Sequence, residues 1–494
     1  MITLFSPRFA YEMEHISRMY FPGEKIRLVK SMPQEAEQFL AVRILEQDGA
    51  PTAYVRARLI EPPFSGEARE PVGPGAPPAE QERLLGVLLC RLLEEATGVR
   101  PPWGILTGVR PVRLCRQWAE AGLGRAAIRR RFTEQYLVDG EKADLAMETA
   151  ATQRHILKEV NPRGFNLYIS IPFCPTRCLY CSFVSQSVDK AARLIPEYLD
   201  LLCKELKATA AHARGLGLVL ETVYMGGGTP TSLSAAQLDQ VLGAVAEHFD
   251  CGSLRECTVE AGRPDTVTPE KLRVLAERGV DRVSVNPQTM NDGILQAIGR
   301  AHSAAQVREA MRMTRACGDF AVNMDLIAGL PGESAGSFSS TLDQVLALGP
   351  ENVTVHTLTV KRSSALRERD DAFAGSPLEL NALLQSARDR LAGAGYAPYY
   401  LYRQKGCVQN LENVGFSLPG REGLYNVYSM EEAQTILAVG AGGVTKLVAG
   451  SDIRRVCNHK YLYEYIARFD EVLGRKTALE EFYERITGEE IHAG

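Results

Sequence analysis

The sequence contains no uninterrupted apolar run near the ~20 residues of a membrane span, so no transmembrane helix is expected. Its first stretch, Met1 to Tyr20, lacks the apolar core of a secretory signal, because Arg8, Glu12, Glu14 and Arg18 interrupt it. An excess of one charge is also missing. Lys and Arg number 56 against 60 Asp and Glu, a net charge of −4. No overall field draws the chain to nucleic acid or to an anionic membrane, and neither is expected as a partner. No G-x-G-x-x-G opens the first helix of the repetitive region described below, which argues against a doubly wound dinucleotide fold. What remains is ordinary for a soluble globular protein: 45% hydrophobic and 23% charged residues over a length of 494, enough for a large core and two or three domains.

Eleven cysteines are present. Eight are scattered (Cys90, Cys115, Cys203, Cys251, Cys257, Cys317, Cys407 and Cys457), mostly in apolar surroundings typical of inert buried thiols. The other three lie together in Tyr168-Ile169-Ser170-Ile171-Pro172-Phe173-Cys174-Pro175-Thr176-Arg177-Cys178-Leu179-Tyr180-Cys181. An alternating apolar run precedes them and reads as a strand, so three thiolates share one loop at its C-terminal end. Three thiolates can hold three corners of a [4Fe–4S] cube and leave the fourth iron open to a ligand. The competing reading, a zinc knuckle, needs four protein ligands, and no fourth cysteine or histidine lies close: His155 precedes the strand, and the position two after Cys181 is Phe183. Free thiols and an exposed cluster both fit a reducing cytoplasm.

Along the chain, Ile26–Val29, 39–45 and 52–60 read as strands, 62–78 as a Pro/Gly/Glu-rich loop, and 79–96 as a helix, with further helices to about 157. Arg125, Arg129, Arg130 and Arg131 read as a solvated helix face. Residues 1–160 are therefore expected to form an α+β domain of unknown role. From Leu167, strand and helix alternate: strands at 167–173, 218–225, 256–261, 281–287, 320–328 and 352–360, helices at 192–213, 234–249, 268–278, 303–316 and 336–348. That alternation demands a parallel sheet with right-handed crossovers. The fold class is thus α/β, a partial (β/α)6 barrel or strongly curved sheet over 161–360, with binding sites at the C-terminal strand ends. Residues 361–494, with a helix near 378–394, are expected to be a C-terminal domain covering the open side.

Each strand end carries candidate residues. Gly226-Gly227-Gly228-Thr229 lets a ligand approach backbone closely. Glu260, Gln288 and Asp325 are single polar groups at the rims of apolar strands. Such groups need partners when buried, either neighbouring loops or the hydroxyls and ammonium of a ligand. Their recurrence on consecutive strand ends favours a ligand.

The spacing C-x3-C-x2-C resembles the radical S-adenosylmethionine (SAM) superfamily, and Tyr-x-x-Ile-Pro-Phe-Cys is similar to its oxygen-independent coproporphyrinogen III oxidase group. The runs 103–111, 260–265, 285–290 and 354–358 resemble the long HemZ-type branch. The resemblance, strongest over 164–335, implies a radical SAM barrel with a [4Fe–4S] cluster on Cys174, Cys178 and Cys181, and S-adenosyl-L-methionine as second cofactor. It implies that Gly226, Gly227, Gly228 and Thr229 hold the SAM amino group, that Glu260, Gln288 and Asp325 contact its ribose or methionine, and that Arg300 pairs with its carboxylate. Tyr168 would lie catalytically against cluster and SAM. The implied activity is oxidative decarboxylation of coproporphyrinogen III propionates to vinyls, with a reduced flavodoxin or ferredoxin-type protein as electron donor. For the tetrapyrrole, candidate contacts are Arg403, Lys405 and Arg421 with Tyr399, Tyr400, Tyr402 and Tyr425. The chain departs from the best-understood oxidases at Ser170, where they have His, and at Phe183, where they have a further Cys, so their specificity does not transfer. Tyr425-Asn426-Val427-Tyr428 lacks the histidine of the H-N-x-x-Y motif of heme-chaperone relatives. Other readings are a heme-binding carrier, action on another tetrapyrrole, and RNA modification through the N-terminal domain.

Overall fold

The structure is a computed structural model and describes residues 1–31, 36–47, 49–108, 110–183, 185–359, 377–403 and 410–492. Two compact units divide the chain: Met1–Ala151 with Tyr402–Glu412, and Thr152–Leu401 with Asn413–Gly494. Among the described residues no helix is long and apolar enough to cross a membrane.

In the first unit, strands β1 (Ile2–Phe5), β2 (Ile26–Val29), β3 (Phe39–Gln47), β4 (Ala50–Leu59) and β5 (Phe64–Pro71) form a sheet ordered β2-β1-β3-β4-β5. The first three are parallel neighbours and the last three antiparallel. Helices α1 (Ala10–Tyr20) and α2 (Pro78–Thr97) cover one face and bury Ile2, Leu4, Leu40, Val42, Val55 and Leu89 with it. About half of the loop expected over 62–78 is in fact β5. Its proline sits at the strand's end on a sheet edge, where a missing N–H costs nothing. Arg129 and Arg130 are exposed, as a solvated helix face requires, and Arg129 pairs with Asp144 at 3.1 Å.

The second unit holds six parallel strands in sequence order: β6 (Gly164–Ile171), β7 (Val219–Gly227), β8 (Glu256–Glu260), β9 (Arg282–Ser284), β10 (Ala321–Ala328) and β11 (Asn352–Thr357). Helices α3 (Ile195–Gly215), α4 (Ala235–His248), α5 (Pro269–Glu277), α6 (Ala304–Cys317) and α7 (Ala335–Leu348) connect them. The strands read as near-continuous apolar runs because helices and lumen cover both faces. Four of these five helices start on Ser or Thr caps: Ser234 and Ser303 complete capping boxes with Gln237 and Gln306, Thr268 precedes Pro269, and Ser334 caps α7, whereas α3 starts after Leu194.

The region after 360 does not stand apart as a body of its own. It adds α8 (Pro377–Gly393) and then extends both edges of the same sheet. β12 (Ala397–Arg403) and β13 (Glu412–Ser417) follow β11 on one side, with β13 antiparallel to it. After α9 (Leu424–Glu431), β14 (Thr435–Val439) pairs parallel with β6, and β15 (Val444–Ala449) and β16 (Asp452–Cys457) continue antiparallel. The strand bearing the cysteine loop is thus internal, between β7 and β14. Tyr402–Glu412 returns to the first unit, where Glu412 accepts from Trp103 Nε1 at 2.7 Å and pairs with Lys142.

Candidate active site

The cysteine loop leaves the C-terminal end of β6. A short pairing of Phe173–Cys174 with Gln186–Ser187 closes its base. Leu179 N donates to Ile298 O (3.0 Å), and buried Arg263 donates to Thr176 Oγ1 (2.9 Å) while Asp265 holds both its Nε and Nη2. The three thiols are free and half-buried. Burial raises the Cys181 pKa, and the charges of Cys178 and Cys174 push the same way, so the thiols share one electrostatic neighbourhood. Among the described residues no three His, Cys, Asp or Glu side chains converge as they would on a single metal ion. A cube that binds each thiolate through a different iron fits this donor set.

β7 ends beside that loop. A Cβ on Gly228 would stand 2.5 Å from Phe173 O and 3.0 Å from Cys174 Sγ, and Gly227 has φ +107°. Only glycine fits there. Thr229 N donates to Phe173 O (2.7 Å) and its hydroxyl faces Cys174 Sγ at 3.6 Å.

Glu260 lies one strand over. It accepts from Tyr224 Oη (2.6 Å) and from the Gly227 backbone, and a Cβ on Gly226 would stand 2.9 Å from its carboxyl carbon. Burial outweighs these bonds and, with the charge of Asp325 nearby, raises its pKa to about 7. Asp325 behaves oppositely. Burial pushes its carboxyl up, but His356, Asn323 (2.8 Å) and Thr354 hold it below the usual range, with His356 Nε2 at 3.7 Å.

Tyr168 and Tyr224 sit on one rung of β6 and β7, rings 6.1 Å apart and 17° from parallel, and Tyr425 from α9 stacks on Tyr224 at 4.4 Å. Gln288 carries a rare non-glycine φ of +67°, and its backbone bridges to Asp325 O and Ile327 N while its buried Oε1 has no partner among the described residues. Arg300 donates to Asn286 O (2.5 Å) and Gly262 O (3.1 Å), tying two strand-end loops, and its buried Nε is unpaired among them too. Orphaned buried polar atoms of this kind ask for a ligand. A cradle closed to Cβ, two orphaned polar atoms and a carboxyl held by a phenol and a peptide N–H suit the ribose, amine and carboxylate of SAM.

The expected site residues therefore meet at one mouth. Several of the described tetrapyrrole candidates lie elsewhere. Arg403 is 2% exposed, lies over the Trp103 ring and donates to Leu106 O and Asn410 O inside the first unit. Tyr399 and Tyr400 are buried against Asn426 and Thr354, Arg421 is exposed, and Lys405 lies outside the described residues. Tyr425 joins the stack. Sequence reading missed Tyr224, His356 and Arg263. Tyr224 and His356 stand at lumen-facing positions of β7 and β11, and that parity was the available signal.

The Radical SAM superfamily description matches residues 168–345. An oxygen-independent coproporphyrinogen-III oxidase-like protein HemZ from Bacillus subtilis is 38% identical over 403 residues, 80% of each chain. A heme chaperone HemW from Lactococcus lactis is 31% identical over 64% of this chain and 79% of its own. Among solved structures, the radical SAM coproporphyrinogen III oxidase HemN from Escherichia coli shares the fold, with a TM-score of 0.51 at 24% identity over 65% of this chain and 72% of that one. Members of the superfamily use a [4Fe–4S] cluster and SAM. The chain belongs to the radical SAM superfamily, in its oxygen-independent coproporphyrinogen-III oxidase-like HemZ family.

Proposed function

We propose that this protein decarboxylates coproporphyrinogen III oxidatively, turning two propionates into vinyls to give protoporphyrinogen IX. One observation carries the reading: the three-thiol loop, the glycine cradle, Glu260, Asp325 and a stacked tyrosine floor open on a single mouth. When bound, the cluster and SAM supply an electron and a 5′-deoxyadenosyl radical able to take hydrogen from a propionate side chain. Cys174, Cys178 and Cys181 would hold the cluster, with Arg263 and Thr176 fixing their loop. The backbone of Gly226, Gly227 and Gly228 with Thr229 would receive the SAM amino group, Glu260, Gln288 and Asp325 its ribose or methionine, and Arg300 its carboxylate. The rings of Tyr168, Tyr224 and Tyr425 would exclude water and form the apolar floor on which a tetrapyrrole rests. A reduced flavodoxin or ferredoxin-type protein would deliver the electron, and an electron acceptor would take the one that each propionate gives up with its CO2.

The test is anaerobic reconstitution, with 5′-deoxyadenosine release measured with and without coproporphyrinogen III. Substrate-dependent release together with loss of CO2 is expected. A heme carrier is the second reading, favoured by the likeness to a heme chaperone. Tight stoichiometric heme binding without any decarboxylation would replace the enzyme reading by that one.

A further inference from the structure

The sheet of the first unit is covered on one face by α1 and α2, which take the side bearing Leu40, Val42, Ala53, Val55 and Ala57. The alternate residues of β3, β4 and β5 point the other way. Three of their rungs across the strands are Arg43–Tyr54–Arg69, Ala41–Arg56–Glu67 and Phe39–Arg58–Ser65; the next, Leu45–Thr52–Pro71, carries no charge. Arg56, Arg58 and Arg69 are exposed. Along these rungs four cations accompany one acid, and every cation is arginine.

Three of the four guanidinium groups lie over aromatic rings. Arg43 and Arg69 lie 5.6 Å and 5.0 Å from the Tyr54 ring, and Arg56 lies 5.8 Å from Phe39. Tyr54 Oη donates to Glu67 (2.8 Å), which also pairs with Arg69 (3.0 Å). Arg43 Nε is buried without a partner among the described residues. Rings that fix the guanidinium groups before binding lower the ordering cost when a ligand arrives.

We propose that this face binds a single-stranded polynucleotide. Arginine forks match phosphate oxygens two at a time, and their planes offer surfaces on which unpaired bases stack. Arg56 and Arg58 are spaced by two residues of a strand, about 6.7 Å, a step on the scale of one extended nucleotide. An acidic protein would satisfy the charge without using the planar arrangement. The net charge of −4 hides the patch, because binding responds to the local field and not to the sum over the chain.

The experiment uses the full-length protein and fluorescence anisotropy of a labelled mixed-sequence 20-nucleotide RNA, and the same sequence as DNA, from low to moderate salt. Binding by wild type is expected, with R56Q/R58Q at least tenfold weaker. Its slope of log affinity against log salt should be shallower by about 1.4, at ~0.7 for each phosphate no longer neutralised. E67Q should bind about twofold more tightly. Failure of wild type to bind either oligonucleotide at low salt would overturn the proposal. Unchanged affinity and slope in R56Q/R58Q would overturn it too, as would displacement of the probe by a polyglutamate peptide as effectively as by unlabelled oligonucleotide.

Discussion

Two buried carboxylates in the second unit face opposite situations. Glu205, on α3, is fully buried and accepts from Lys476, Asn458, Tyr465 and the Gly440 backbone, all at 2.6–2.7 Å. Glu260, at the mouth, has a phenol and a peptide N–H but no cation among the described residues, and its pKa rises to about 7. The first is fully occupied in holding the turn Gly440-Ala441-Gly442-Gly443 against β6, where Ser170 Oγ donates to Ala441 O (2.7 Å) and Tyr198 Oη to Ser170 O (2.6 Å). The second is left under-satisfied. Glu205 closes its own network, while Glu260 at the mouth keeps capacity for something else.

That contrast can be broken in graded ways. The largest effect is all-or-none: Cys178→Ala at the mouth should abolish the brown absorbance and bound iron after anaerobic reconstitution, whereas Cys203→Ala, on the same helix as Glu205, should keep both. Next, Glu205→Ala should strand Lys476 in the interior and cost about 3–5 kcal/mol in chemical denaturation, and a smaller loss would mean the anchor is not the tight network described.

Glu260→Gln should act in the other direction. The folded carboxyl titrates near 7 against an ordinary 4.5, so between those values the native state holds the extra proton and wild-type stability falls as pH rises. The loss is on the order of 3 kcal/mol by pH 8. The glutamine variant should lack this pH dependence in thermal melts and be the more stable protein at pH 8, yet bind SAM less tightly.

Arg300→Ala should weaken SAM binding by about 1.5–3 kcal/mol in equilibrium dialysis. Its two carbonyl contacts mean that some thermal stability goes as well, and unchanged SAM affinity with lower stability would make Arg300 a loop tie alone. The smallest effect belongs to Tyr425→Leu, which removes one ring of the stack, about 1 kcal/mol of stability, and should raise the substrate concentration needed for 5′-deoxyadenosine release.

The six β/α repeats were legible because parallel strands covered on both faces and amphipathic helices, four of them with Ser or Thr caps, leave strong local patterns. The mouth residues were legible because each strand end carries one polar group after an apolar run. What lay beyond local pattern was missed. β14 is a short apolar run whose partner β6 comes far earlier, and β5 carries Gly and Pro that suit an edge but read as a loop. Arg403 and the tyrosines at 399 and 400 have the composition of a binding surface, yet the chain uses them as interior props. Nothing local tells a buried arginine that satisfies carbonyls from an exposed one awaiting a carboxylate.

The placement of β6 between β7 and β14 has a consequence for synthesis. Asn166 on β6 donates to Thr435 O on β14 from 269 residues away, and at roughly 5–20 residues per second that interval lasts on the order of tens of seconds on the ribosome. For that time β6, the strand that leads into the cysteine loop, is the raw edge of a growing parallel sheet, the kind of edge that recruits the wrong neighbour. A cluster inserted into a nascent chain would therefore meet a β6 already paired with β7 but not yet held along its other edge by β14.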